Sequence, residues 1–218
     1  MKFFDFKNDK PQTAFAPTWR YKFGEVDLKD ISFDKISDII LNKEKEIIES
    51  HPSCGDGNTG LGNDSLTSRH NFFNVLQWDY PEIHKLKEKI LYYYKEFLGY
   101  YSAPIIPTYI QCWANVLRFN QQIKTHTHDV SALSYLGGHL TVQSTNTFTS
   151  YICPNNKKEF KSPNTVGKLT IFQNCLPHYT SVHQGINPRI SIAFDFFPHE
   201  KIQHLSEEKK KNLVVLND

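Results

Sequence analysis

The sequence predicts an α+β fold in which a strand-rich sandwich or jelly roll is buttressed by helices that precede it in the chain. Three observations carry this prediction. The texture changes near residue 107, from helical periodicity before it to short apolar or alternating runs after it. Those runs recur at short intervals and are cut by turn residues, as in sandwiches and jelly rolls. Sixteen Phe and eleven Tyr suit strands and sheet-on-sheet packing.

The elements follow in order. Over residues 28–50, Ile36, Ile39, Ile40, Ile47 and Ile48 recur at helical spacing among Lys and Glu. Residues 52–68 form a Gly/Asn/Ser-rich loop. Its GDGNTGLGND stretch lacks the Lys-Ser/Thr of a phosphate-binding loop, so it reads as a connection, with a lid as the alternative. A second helix is expected over 81–98, with Pro81 in its first turn and Ile83, Leu86, Ile90, Tyr94 and Phe97 as one apolar stripe. The Tyr92-Tyr93-Tyr94 run reads as part of a face packed on a sheet, because no basic cluster lies beside it.

Strands are expected at 109–117, 132–136, 139–143, 148–152, 167–172 and 189–197. Turns are expected at Asn120, Gly137-Gly138, Pro154-Asn155-Asn156, Pro163-Asn164 and from Gly185 to Pro188. The organisation is therefore a single domain over 1–218. Residues 1–106 are mainly helical buttress and loop, 107–198 the strand core, and 199–218 a polar tail to which no function is assigned.

Bulk properties exclude several classes. A chain of 218 residues is long enough for one domain with a substantial core. The net charge of +2 gives no electrostatic argument for nucleic acid or membrane. Four widely spaced cysteines without a CxxC pair argue against a disulfide framework or a structural zinc site. No secretory signal and no membrane-spanning apolar run is present. The expectation is a soluble cytoplasmic protein acting on a small molecule or a peptide.

Three features of the strand-rich half carry chemistry. In His126-Thr127-His128 two imidazoles at i and i+2 share a face of an extended chain and can converge on one metal. Imidazole suits Fe, Zn, Cu and Ni alike, and ten histidines make chance pairs common, so the pair alone is weak. His178, beyond the predicted strand at 167–172, can supply a third ligand if the sheets pack face to face; His183 is its rival. Arg189-Ile190-Ser191 opens an alternating strand with Arg189 and Ser191 on one face, where a guanidinium and a hydroxyl can clamp a carboxylate.

The region from Trp113 to Phe196 resembles the 2-oxoglutarate/Fe(II)-dependent dioxygenase superfamily. It is most similar to a branch, common in phage and marine bacterial genomes, in which HxH replaces the usual HxD. The resemblance rests on Trp113-Ala114-Asn115, His126-Thr127-His128, Leu133-Ser134, Gly167-Lys168-Leu169 with Phe172, Leu176-Pro177-His178, and Arg189-Ile190-Ser191 with Phe194. The Gly/Asn loop, Ser65-Leu66-Thr67-Ser68 and the long helix extend it over most of the chain. It implies a double-stranded β-helix (cupin-like) core and expression in a bacterial or phage-host cytoplasm.

The resemblance also implies a site: Fe(II) on His126, His128 and His178, and 2-oxoglutarate as cosubstrate held by Arg189, Ser191 and Asn115. Together with O2 these would support a hydroxylase that couples decarboxylation to succinate with oxidation of a substrate C–H bond. No catalytic residue beyond the metal centre is implied. One departure stands out, since His128 occupies the position of the usual carboxylate ligand. A local bulge turning Asp129 inward would restore a two-His-one-carboxylate set. Two other readings share the scaffold: a three-His cupin-type dioxygenase needing no cosubstrate, and a non-catalytic binding module. A zinc hydrolase is disfavoured, because no acidic residue sits in an obvious general-base position beside the HxH.

Overall fold

The computed structural model describes residues 1–216 except 9 and 155, so Asn155 of the predicted turn lies outside the described residues. Among the described residues, ten strands form two antiparallel sheets. The larger contains β1 (Lys2–Lys7), β2 (Arg20–Asp27), β7 (Lys168–Gln173), β4 (Leu136–Gln143), β9 (Arg189–Pro198), β3 (Thr108–Leu117) and β10 (Val214–Leu216), in that order. The smaller contains β6 (Glu159–Pro163), β5 (Phe148–Ile152) and β8 (His178–Thr180).

Two long helices, α1 (Phe33–Ser50) and α2 (Pro81–Tyr100), contribute to one core with the larger sheet. The period-two alternation of each strand sends one set of side chains to the helices and the other to the opposite face. On β9, Ile190, Ile192, Phe194 and Phe196 join the core that contains Ile36, Ile40, Ile83, Leu86, Ile90 and Tyr94. Each such buried side chain contributes about 1.5–3 kcal/mol. Tyr94 stacks on Phe196 at 4.4 Å, and its hydroxyl bonds those of Thr108 at 3.0 Å and Tyr135 at 2.9 Å. The tyrosine run thus packs on the sheet, with Tyr92 left in solvent.

The sheets meet through an aromatic cluster of Phe23, Tyr151 and Phe172 with Leu176. Tyr151 of the smaller sheet approaches Phe23 at 4.6 Å and Phe172 at 5.1 Å. This is the jelly-roll, double-stranded β-helix architecture that the sequence predicts.

The structure departs from the sequence reading in several places. Residues 1–106 are not only helix and loop, because the β1–β2 hairpin extends the large sheet beside β7. Residues 132–135 form no strand. Gly137-Gly138 is not a turn but lies inside β4, where both glycines serve close packing: a Cβ at 138 would collide with the Thr170 carbonyl and the Phe194 ring. Strands β6 and β8 are additional. The polar tail carries more structure than its composition announces. After two short helices, α3 (His199–Ile202) and α4 (Glu207–Lys211), it returns as β10 to pair with the edge of β3. Among the described residues, no helix is long and apolar enough to cross a membrane.

Candidate metal centre

The inward residues of β3 and β9 line a cavity between the sheets. Asn115 and Trp113 come from β3, and Arg189, Ser191, Ala193 and Asp195 from β9. The HxH segment crosses its mouth. It is not a regular strand, as the spacing suggests, but an extended stretch pinned to the chain around β8. His126 and His178 exchange both backbone hydrogen bonds at 3.1 Å, and His128 N–H donates to the Asn174 carbonyl at 3.0 Å. The extended geometry still sets both rings on one side, which is what the i, i+2 rule requires.

The three rings converge. Their centroids lie 5.4 Å apart for His126–His128, 4.4 Å for His126–His178 and 5.1 Å for His128–His178. One ring nitrogen from each falls within 4.8 Å of the others. The hydrogen bonds identify those nitrogens. His126 Nδ1 faces the Lys124 carbonyl at 2.8 Å, His178 Nδ1 the Leu176 carbonyl at 3.0 Å, and His128 Nδ1 the Asp195 carboxylate at 2.5 Å. Carbonyls and carboxylates only accept, so each Nδ1 carries the proton and each Nε2 presents a lone pair.

Electrostatics keeps the lone pairs of His126 and His178 free. Burial, and then the neighbouring His128, push His126 down to about 4, and burial with the adjacent His126 holds His178 well below the ordinary histidine value. Neutral imidazole is the form that binds metal.

Asp129 does not turn inward. Its carboxylate pairs with Lys201 and caps the following turn, accepting from Ser131 N at 2.9 Å and Ser131 Oγ at 3.0 Å. The bulge alternative for the metal set is therefore not realised, because this local capping network already holds the carboxylate. Asp129→Asn is expected to leave metal affinity within about twofold and cost about 1–3 kcal/mol of stability. Metal titration beside thermal unfolding checks this, and a large loss of affinity would restore Asp129 to the site. His183 is fully buried outside the cavity, with Nε2 donating to the Asn187 carbonyl at 2.7 Å.

Arg189 is 1% exposed, yet its Nε and Nη1 have no hydrogen-bond partner. Among the described residues no carboxylate pairs with it. Burial lowers its pKa to about 10. An uncompensated buried guanidinium is costly, and a site built this way asks for an anion. Ser191 and Asn115 are buried in the same cavity wall, and Asn115 is fixed by Thr67 Oγ1–H donating to its Oδ1 at 2.7 Å.

Other lining residues were not singled out from the sequence. His139 sits among Thr149, Tyr151 and Thr170, bonding Thr170 Oγ1 at 3.0 Å; burial, and then the Arg189 cation, hold its pKa near 3. The unfolded chain protonates such a histidine near pH ~6.5 while the fold resists until far lower, so the unfolded state binds more protons across that window. Stability of the metal-free protein should fall as pH drops below ~6.5, and His139→Gln should flatten that slope by up to about 1.4 kcal/mol per pH unit. Thermal melts from pH 8 to 4 read it out; an unchanged slope would contradict this account.

Asp56, Gly57 and Thr59 of the Gly/Asn loop and Lys209 of α4 also reach the cavity. The loop and the tail thus both help to wall the site.

No family model matches the sequence, and no curated protein is significantly similar to it. Solved structures do share its fold. A Trichoplax adhaerens prolyl hydroxylase, solved with a hypoxia-inducible factor oxygen degradation domain peptide fragment, aligns with TM-score 0.55 at 14% identity over 85% of this chain and 87% of its own. SnoK, a non-heme α-ketoglutarate-dependent carbocyclase of nogalamycin biosynthesis, aligns with TM-score 0.54 at 10% identity over 84% and 86%. A Pseudomonas putida prolyl-4-hydroxylase aligns with TM-score 0.52 at 10% identity over 81% and 92%. At these identities the likeness concerns the fold, which is that of 2-oxoglutarate-dependent Fe(II) oxygenases.

Proposed function

We propose that the protein is a non-haem Fe(II), 2-oxoglutarate-dependent oxygenase of the HxH type, acting as a hydroxylase. The observation that carries this reading is Arg189: a fully buried guanidinium with two partnerless donors, in one cavity with three converging histidines. Both halves fit the groups that the reading requires. Three imidazole nitrogens suit a first-row divalent metal, and the orphaned donors suit a carboxylate.

His126, His128 and His178 would hold the iron. Arg189 would take the distal carboxylate of the 2-oxo acid in a charge-assisted pair, with Ser191 as a further donor and Asn115 on the adjoining wall. When bound, iron and cosubstrate supply the oxidising power that couples decarboxylation to succinate with oxidation of a C–H bond. The chain's own task is to bind, orient and exclude water. Phe172, Ile123 and Ala193 give the cavity apolar walls, while Thr67 holds Asn115 in place.

A three-His dioxygenase without a cosubstrate would use the same ligands, but it would leave Arg189 unpaired. Anaerobic titration of Fe(II)-loaded protein with 2-oxoglutarate separates the two. The oxygenase reading expects a visible metal-to-ligand charge-transfer band that saturates with cosubstrate. A protein that binds Fe(II) and shows no such band would favour the cosubstrate-independent reading.

A further inference from the structure

Asp195 lies on the same face of β9 as Arg189 and Ser191, opposite Gly137 of β4 and Gln111 of β3. It is buried, and His128 Nδ1–H is the hydrogen bond it accepts, at 2.5 Å. The sequence makes room for this contact. A Cβ at Gly137 would stand 2.8 Å from Asp195 Oδ1 and would collide with Asn174 Oδ1. A side chain at 137 would therefore displace the carboxylate from His128.

The charges in the cavity give this pair its meaning. A divalent cation on three neutral imidazoles keeps its full +2, and Arg189 and Lys209 add positive charge to the same walls. The acidic lining residues are Asp56 and Asp195. Asp56 is occupied within its loop, accepting from Gly62 N at 2.9 Å and Asn58 N at 3.1 Å. Among the described residues, Asp195 is the one whose carboxylate accepts a hydrogen bond from a ring of the three-His set.

We infer that Asp195 supplies, from behind His128, the negative charge that a carboxylate ligand would otherwise bring to the metal. In this role it is a positioning residue: it fixes the ring and raises the donor strength of Nε2. His126 and His178 lean on neutral carbonyls instead, so the centre is asymmetric, with His128 its strongest donor. The inference rests on the reading of the three histidines as a metal centre.

The test is metal binding alone, without cosubstrate or turnover. Fe(II) affinity is measured anaerobically by competition with a chromophoric chelator, and the ligand-field absorption of the Co(II)-loaded protein is recorded at saturation. Asp195→Asn keeps the shape and removes the charge. It is expected to weaken Fe(II) binding about 10–100-fold and to shift the Co(II) bands. Wild-type affinity with an unshifted Co(II) spectrum would overturn the role of Asp195 and leave the metal centre standing. A wild-type protein that binds neither metal would overturn the metal centre itself. If the variant does not fold, the Zn(II)-loaded wild type decides by proton NMR. The His128 Nδ1–H should resonate downfield of those of His126 and His178, and an equal or upfield position would refute the inference.

Discussion

Arg189→Met is expected to abolish measurable 2-oxoglutarate binding while raising the melting temperature of the metal-free protein. Truncating one partner of a buried, hydrogen-bonded charge pair costs ~2–5 kcal/mol, or roughly 30-fold to several-thousand-fold in Kd. Removing a buried guanidinium whose Nε and Nη1 have no partner among the described residues has the opposite effect on the fold, because an uncompensated charge leaves the interior. The pairing of lost affinity with gained stability distinguishes a binding residue from a structural one. Fe(II) affinity should change little, since Arg189 does not belong to the three-His set. Calorimetric titration of the cosubstrate beside thermal melts of the metal-free protein would check both. A variant that melts lower and binds 2-oxoglutarate normally would mean that Arg189 serves packing alone.

The second large effect concerns the rival histidines. His178→Ala removes one of three converging donors, and its loss should weaken Fe(II) binding by more than the about 10–100-fold typical of an outer-shell partner. His183→Ala should leave the metal untouched. That side chain holds the 183–187 turn through the Asn187 carbonyl, so its loss should lower stability by about 1–3 kcal/mol. Metal content after anaerobic loading and desalting, read with unfolding midpoints, separates the pair. Retention of iron by the His178 variant and loss by the His183 variant would reassign the third ligand.

Much of this site is legible in the sequence because alternation along a strand is a local rule. Arg189 and Ser191 follow from it, whereas Trp113 and Asn115 enter through the family resemblance; all four line one cavity. Asp195 follows from the same rule extended four residues beyond Ser191. It went unread because a carboxylate inside an apolar run shows its purpose only when His128, distant in sequence, packs against it. Gly137-Gly138 reads as a turn for a related reason. Paired glycines mark turns locally, whereas here the requirement is the close approach of Asp195, Asn174 and Phe194 from other segments. The β1–β2 hairpin and the three-residue β8 owe their strand character to pairing with distant partners, which periodicity does not record. The tail shows the same limit. Its Lys/Glu composition describes a solvated helix, while Val214–Leu216 pairs with β3 and Lys209 reaches the cavity.

The central claim is that the three histidines and Arg189 form one centre that consumes 2-oxoglutarate. Its most direct test is succinate formation by Fe(II)-loaded protein supplied with 2-oxoglutarate and O2, with no further substrate. The account predicts slow, iron-dependent succinate release matched to O2 consumed, and its loss in Arg189→Met and His178→Ala. Iron-loaded wild-type protein that releases no succinate, or releases it equally well with Arg189 replaced, would contradict it.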